Sequence, residues 1–200
     1  MKRIWSTRLF LCALGGALLF AVVLSMSSGQ YDISIEAVIA SFAHAAGLPI
    51  LTDVVVTPEQ EAVLWHIRLP RTLVGMMVGA GLGISGAVLQ GIFSNPLADP
   101  GIIGVSSGAS VGAVLAIGIG VTAGSVLSLP AFAFAGSMLA VSLTVSLSMR
   151  HGRIPVMTLL LSGVVVGMFL AACTAAILTV MNEQKMQQYL FWTIGGLDYR

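Results

Sequence analysis

Charge is what this sequence has least of. Only 8% of its 200 residues are Asp, Glu, Lys or Arg, against about 25% in a soluble domain. So few charges cannot cover a surface that faces water, and a bilayer is the solvent that suits the composition. The net charge is +1, which leaves no basic footprint for nucleic acid. Lysine occurs only at Lys2 and Lys185. No G-x-x-x-x-G-K-[ST] sequence is present, so this chain has no P-loop to cradle ATP phosphates. Cysteine occurs only at Cys12 and Cys173, both inside apolar runs, without the spacing of a disulfide framework or zinc site. His44, His66 and His151 are scattered singly, and no metal site is expected.

What is present is apolar. Hydrophobic residues make up 57% of the chain and the mean hydropathy is +0.99. The pattern predicts an all-α polytopic membrane protein with about five spans, at 9–28, 72–90, 101–121, 126–149 and 155–181. Residues 9–31 carry no charge and follow Lys2, Arg3 and Arg8. That run exceeds the apolar core of a cleaved signal peptide, about 7–15 residues. It reads as a first helix with a cytoplasmic start. Residues 32–67 form the only sizeable polar segment, with a short amphipathic helix suggested by Ile33, Ile35, Val38, Ile39 and Phe42. Counting spans outward from the N-terminus places 32–67 and 182–200 on the periplasmic side. Arg150 and Arg153 then fall in the cytoplasm, as basic loop residues do. Arg68 and Arg71 fall on the outer side, against that rule, and are therefore functional candidates. Anchoring at lipid headgroups is the plainer role for them.

The glycines are spaced for helix packing. Gly75, Gly79 and Gly83 share one helix face, as do Gly104, Gly108 and Gly112, and Gly163 and Gly167 form a shorter pair. In lipid, helices associate through close backbone contact, which small residues at this spacing allow. Gly81, Gly83 and Gly86 match G-x-G-x-x-G, but within an uncharged helical run rather than after a strand, so a dinucleotide site is excluded. The segment Asn95-Pro96-Leu97-Ala98-Asp99-Pro100 predicts a constrained turn. Asp99 is placed to cap the following helix, with Pro100 in its first position. Met76, Met77, Met157, Met168 and Met181 read as soft packing residues. Tyr189, Phe191 and Trp192 read either as an interfacial belt or as lining of a cargo cavity.

Several stretches together carry a resemblance. They are Arg68-Leu69-Pro70-Arg71, Gly86-Ala87-Val88-Leu89-Gln90, Asn95 to Pro100, Gly104-Val105-Ser106-Ser107-Gly108-Ala109, Leu159 to Gly163, and Trp192 to Leu197. Over roughly residues 60–200 the chain resembles the permease subunits of binding-protein-dependent ABC importers for iron-siderophores, haem and cobalamin. The resemblance implies the type II importer permease fold, with ten spans, of which about five are here. It implies a second permease copy or a paralogous permease, two cytoplasmic ATPases that hold ATP and Mg, and a periplasmic binding protein. It implies no cofactor on this chain and no catalysis by it. Arg68 and Arg71 become candidates for docking the binding protein. Asn95, Pro96 and Leu97 become candidates for the cytoplasmic gate, and Pro155, Val156, Met157 and Thr158 for a second constriction. Family members run well past this length, so the chain is expected to be the N-terminal part of a bacterial inner-membrane permease. A secondary transporter or channel is the first rival. Such proteins place ionisable groups within their spans, and the interiors of spans two to five hold none. A membrane scaffold is the second rival, and it would need neither outer arginines nor a rigid inner turn.

Overall fold

The computed structural model describes residues 2–51 and 53–197, with side chains from Thr7 onward. The side chains of Lys2 and Arg3, and residues 198–200 of the C-terminal segment, lie outside the described residues. The described elements are helical: α1 (Lys2–Ser27), α2 (Ile35–Ala45), α3 (Pro58–Val63), α4 (Leu69–Phe93), α5 (Val105–Ile119), α6 (Ser128–Ser148), α7 (Val156–Thr179) and α8 (Glu183–Ile194). Among the described residues, four helical stretches are long and apolar enough to cross a membrane: Thr7–Ser27, Pro58–Phe93, Ser128–Ser148 and Val156–Thr179.

The chain divides into two compact units, one running through Gly79 and taking in Leu197, the other Ala80–Gly196. In the first, α3 continues into α4 through a π-helical turn at Leu64–Arg68. The sequence pattern started this span at residue 72, but the helix begins at Pro58. Pro70 explains the wide turn. It has no N–H to give His66, and a normal α turn there would leave that carbonyl unpaired. Instead Leu69 N–H bonds to the Leu64 carbonyl, five residues back. The turn packs on α2 through Trp65, whose Nε1 donates to Ser41 Oγ at 3.0 Å and whose ring lies 5.0 Å from that of Phe42. Met26, Ile33, Ala37, Val38 and Leu64 form the buried cluster beneath it.

In the second unit α5 is central, packed on α6, α7 and α8. The expected span 101–121 is interrupted. Pro100–Ile103 is a 3-10 turn, Gly104 takes the left-handed conformation at φ 85°, and α5 then runs for 15 residues. At about 1.5 Å per residue α5 covers about 22 Å, short of the roughly 30 Å hydrocarbon layer. Gly104 belongs to the αL turn, which glycine adopts without a Cβ penalty. The other glycines of that series set the packing. A Cβ on Gly108 would overlap the Gly136 carbonyl and Ala140 on α6, and one on Gly112 the Phe132 carbonyl. Gly163 on α7 meets the Ile102 carbonyl in the same way. Two α6 hydroxyls reach carbonyls at the break: Ser137 Oγ donates to Val105 O at 3.0 Å, and Thr144 Oγ1 to Ile103 O at 3.1 Å.

Candidate functional site

The residues singled out by sequence fall into three places. Arg68 ends the π turn and is buried, at 7% exposure. Its guanidinium donates to Met26 O at 2.5 Å and to the Tyr31 carbonyl. Met26 lies in the last turn of α1, where carbonyls lack helical partners. Arg68 therefore closes the end of α1 and ties down the chain that follows. Gly29 leaves room for it: a Cβ there would sit 2.8 Å from Arg68 Nη2 and push the guanidinium aside. Arg71, one helical turn on, is exposed. Only Arg71 of the two presents its side chain at the surface of this unit. Nearby, the Ser25 and Thr72 hydroxyls are 2.7 Å apart, a second link between α1 and α4.

The Asn95–Pro100 turn is built by side chains that bond their own backbone. Asn95 Oδ1 accepts from Leu97 N–H at 2.9 Å, and Ala98 N–H donates to Asn95 O at 3.1 Å. Ser94 takes a positive φ of 50° to enter it. Asp99 Oδ1 accepts from Gly101 N–H at 2.6 Å, with Pro100 in the first position of the 3-10 turn. Leu97 stands at the tip, 84% exposed, while Ala98 is buried beneath it. At the same end of this unit, His151 and Gly152 turn with positive φ between Arg150 and Arg153, which pair their backbones. Pro155 then caps α7, with Val156 and Met157 exposed.

The glycines separate by environment. Gly108, Gly112 and Gly163 meet neighbouring backbone, and Gly75 has Leu197 Cδ1 at 3.3 Å, whereas Gly79 and Gly83 face open space among the described residues. Gly136, which sequence spacing did not single out, is the partner of Gly108. Its sequence signal was Gly136 and Ala140 four residues apart in a run rich in alanine, the small-residue spacing of close helix packing.

At the opposite end of the second unit, α8 lies against α5. Asn182 caps it, accepting from Lys185 N–H at 3.0 Å. Lys185 Nζ donates to Gly118 O at 2.7 Å, and Tyr189 packs on Val114 and Ile117. Asn182 followed by Glu183 was the sequence signal for this helix. Beside it, a cleft of about 360 Å³ opens between α5, α7 and α8, with Ser106, Ser107, Ser110, Thr174 and Tyr189 on its walls.

An apolar helix bundle with a rigid turn at one end and a strapped helix at the other has the character of an integral membrane protein. The chain belongs to the FecCD transport family, whose model matches residues 17–200. It is 41% identical over 137 residues to the cobalamin import system permease protein BtuC of Halobacterium salinarum, covering 68% of this chain and 36% of that one. It is 39% identical over 147 residues to the vitamin B12 import system permease protein BtuC of Escherichia coli, covering 72% of this chain and 44% of that one. Among solved structures it matches a metal-chelate type ABC transporter in an inward-facing conformation. The TM-score there is 0.75 at 30% identity, over 94% of this chain and 53% of that one. The chain thus spans less than half the length of the curated relatives it matches.

Proposed function

We propose that this chain forms the N-terminal part of the permease subunit of an ATP-driven importer, moving cobalamin or a chemically similar metal complex inward by alternating access. The observation that carries the reading is the family match, which runs unbroken from residue 17 to 200 and takes in the arginines, the turn and the bundle. Cobalamin comes first because the relatives in Halobacterium and Escherichia coli are both cobalamin permeases by name. The proposed partners are a second permease copy, two cytoplasmic ATPases carrying ATP and Mg, and an external binding protein. The chain sits in the inner membrane with its N-terminus in the cytoplasm.

In this reading exposed Arg71 is the principal docking cation, setting encounter rate and register by charge complementarity. Arg68 supports it from behind by fixing the α1 end. Asn95, Pro96 and Leu97 form the cytoplasmic gate, and Pro155 to Thr158, at the same end of their unit, the second constriction. The gate has a physical basis in the self-bonded turn: a rigid tip with a bulky exposed leucine can block a pathway and move as one piece. The test is uptake of labelled cobalamin, haem and iron-siderophore by lipid vesicles holding the assembled importer. ATP-dependent cobalamin uptake that requires the binding protein is expected. Failure to import any of the three would overturn the reading.

A further inference from the structure

Most of the hydroxyls in these helices are used locally. Ser85, Ser146, Ser148 and Thr174 each donate to a carbonyl four residues back. That is how a helix hides a polar group from an apolar solvent. Ser106, Ser107 and Ser110 do not. Among the described residues their hydroxyls have no hydrogen-bond partner, although all three lie near the start of one uncharged helix. They gather on one side of the cleft between α5, α7 and α8.

Tyr189 provides the second, independent observation. It is 7% exposed, with its ring packed on Val114 and Ile117 and 6.1 Å from the Trp192 ring. Buried tyrosines ordinarily place the phenol on a partner. Here the phenolic oxygen has none among the described residues, and the side chain borders the same cleft. Four side chains whose hydroxyls have no partner among the described residues therefore line one space. The phenolic oxygen is not sealed in but opens on the cleft, and an apolar occupant would leave these groups unpaired at a cost, which favours a polar one. No Asp, Glu, Lys, Arg or His lines it. Hydroxyls without a formal charge suit a neutral group that both donates and accepts, and they give a carboxylate no counter-ion.

We propose that Ser106, Ser107, Ser110 and Tyr189 form a cargo subsite that holds a neutral hydrogen-bonding group, a carboxamide or a hydroxyl, as cargo passes beneath α8. This rests on the transport reading above, since it assigns the cleft to the cargo path. Tyr189 ties the site to α8, and through Lys185 to the end of α5, so an occupied cleft and a closed α8 are coupled by the same helix.

The assembled importer in lipid vesicles tests it, with cyanocobalamin, whose side arms are carboxamides, as the probe. Tyr189→Phe and Ser110→Ala should each raise the KM for uptake about fivefold, the worth of one hydrogen bond, with kcat within twofold of the parent. Preference for cyanocobalamin over its derivative with one amide hydrolysed to carboxylate should fall in both. Ser110→Cys should react with N-ethylmaleimide, and cyanocobalamin should slow that reaction at least threefold. Uptake with unchanged KM in both variants, together with unshielded or unreactive Ser110→Cys, would overturn the subsite and leave the transport reading standing. Shielding of Ser110→Cys in an importer that takes up no cyanocobalamin would do the reverse.

Discussion

Gly108 and Gly136 meet backbone to backbone, and a methyl group on either would overlap the carbonyl oxygen of the other. The contact brings α5 and α6 closer than any side chain permits, and in lipid such closeness replaces the hydrophobic drive. Gly136→Val should therefore force the helices apart, at about 3 kcal/mol or more given that ordinary overpacking costs 1–3. Gly83→Ala should behave oppositely. It faces open space, and alanine favours helix by about 1 kcal/mol. Unfolding in detergent by a chemical denaturant would compare them; equal losses in the two variants would contradict the packing described.

Arg68 and Arg71 separate stability from recognition. Arg68→Gln removes a charged donor from two carbonyls at the end of α1, and hydrogen bonds to charged groups are each worth about 1.5–3 kcal/mol. A stability loss of that order is expected, with faster hydrogen exchange around residues 26–31. Arg71→Glu should cost less stability than Arg68→Gln, because its side chain is exposed rather than buried. It should instead slow binding-protein association in a salt-dependent way. Surface plasmon resonance at two ionic strengths measures it, and an unchanged association rate would remove Arg71 from docking.

Reading the sequence recovered the parts governed by local rules. The Asp99-Pro100 start was legible because a cap and its proline are adjacent in sequence, although Asp99 caps the 3-10 turn and not α5, whose N-cap is Gly104. The packing face of Gly108 and Gly112 was legible because helical period alone sets it. Arg68 was not. Its burial depends on carbonyls about 40 residues away in sequence, and nothing in R-L-P-R tells the inward arginine from the outward one. The π turn was missed because apolar periodicity does not register a single five-residue step. The break in the third span had a signal, Pro100-Gly101 and then Gly104, but the apolar run hid it. The serine cluster was hidden differently: the G-V-S-S-G-A run was legible as a family motif with packing glycines, and only the fold shows which hydroxyls there and at Ser110 lack partners.

The Asn95 turn makes a chemical prediction. Its Oδ1 accepts from Leu97 N–H, and a carboxylate oxygen can do the same. Asn95→Asp should keep the turn, while Asn95→Ala loses a bond worth about 1 kcal/mol and lets Leu97 move. In the importer, Asn95→Ala should raise cargo leak without ATP about fivefold, the factor that such an energy represents. Asn95→Asp should stay near the parent. Equal leak in both variants would separate the turn from gating.

Lys185 holds α8 in place by charge as well as contact. Its ammonium donates to Gly118 O in the last turn of α5, where the helix dipole is negative and a cation gains about 0.3–1 kcal/mol. Gln188 Nε2 lies 3.4 Å from Thr122 Oγ1, too long to hold the helix by itself. Lys185→Met keeps the aliphatic stem and removes the charge, so packing of α8 through Tyr189 survives while its register on α5 is freed. Amides of α8 should then exchange with deuterium about threefold to tenfold faster, with those of α6 unaffected. Lys185→Arg can still donate to the same carbonyl and should restore most of the protection. If Lys185→Met left α8 as protected as before, Tyr189 and its apolar neighbours alone would fix the helix, and opening it would require unpacking the ring.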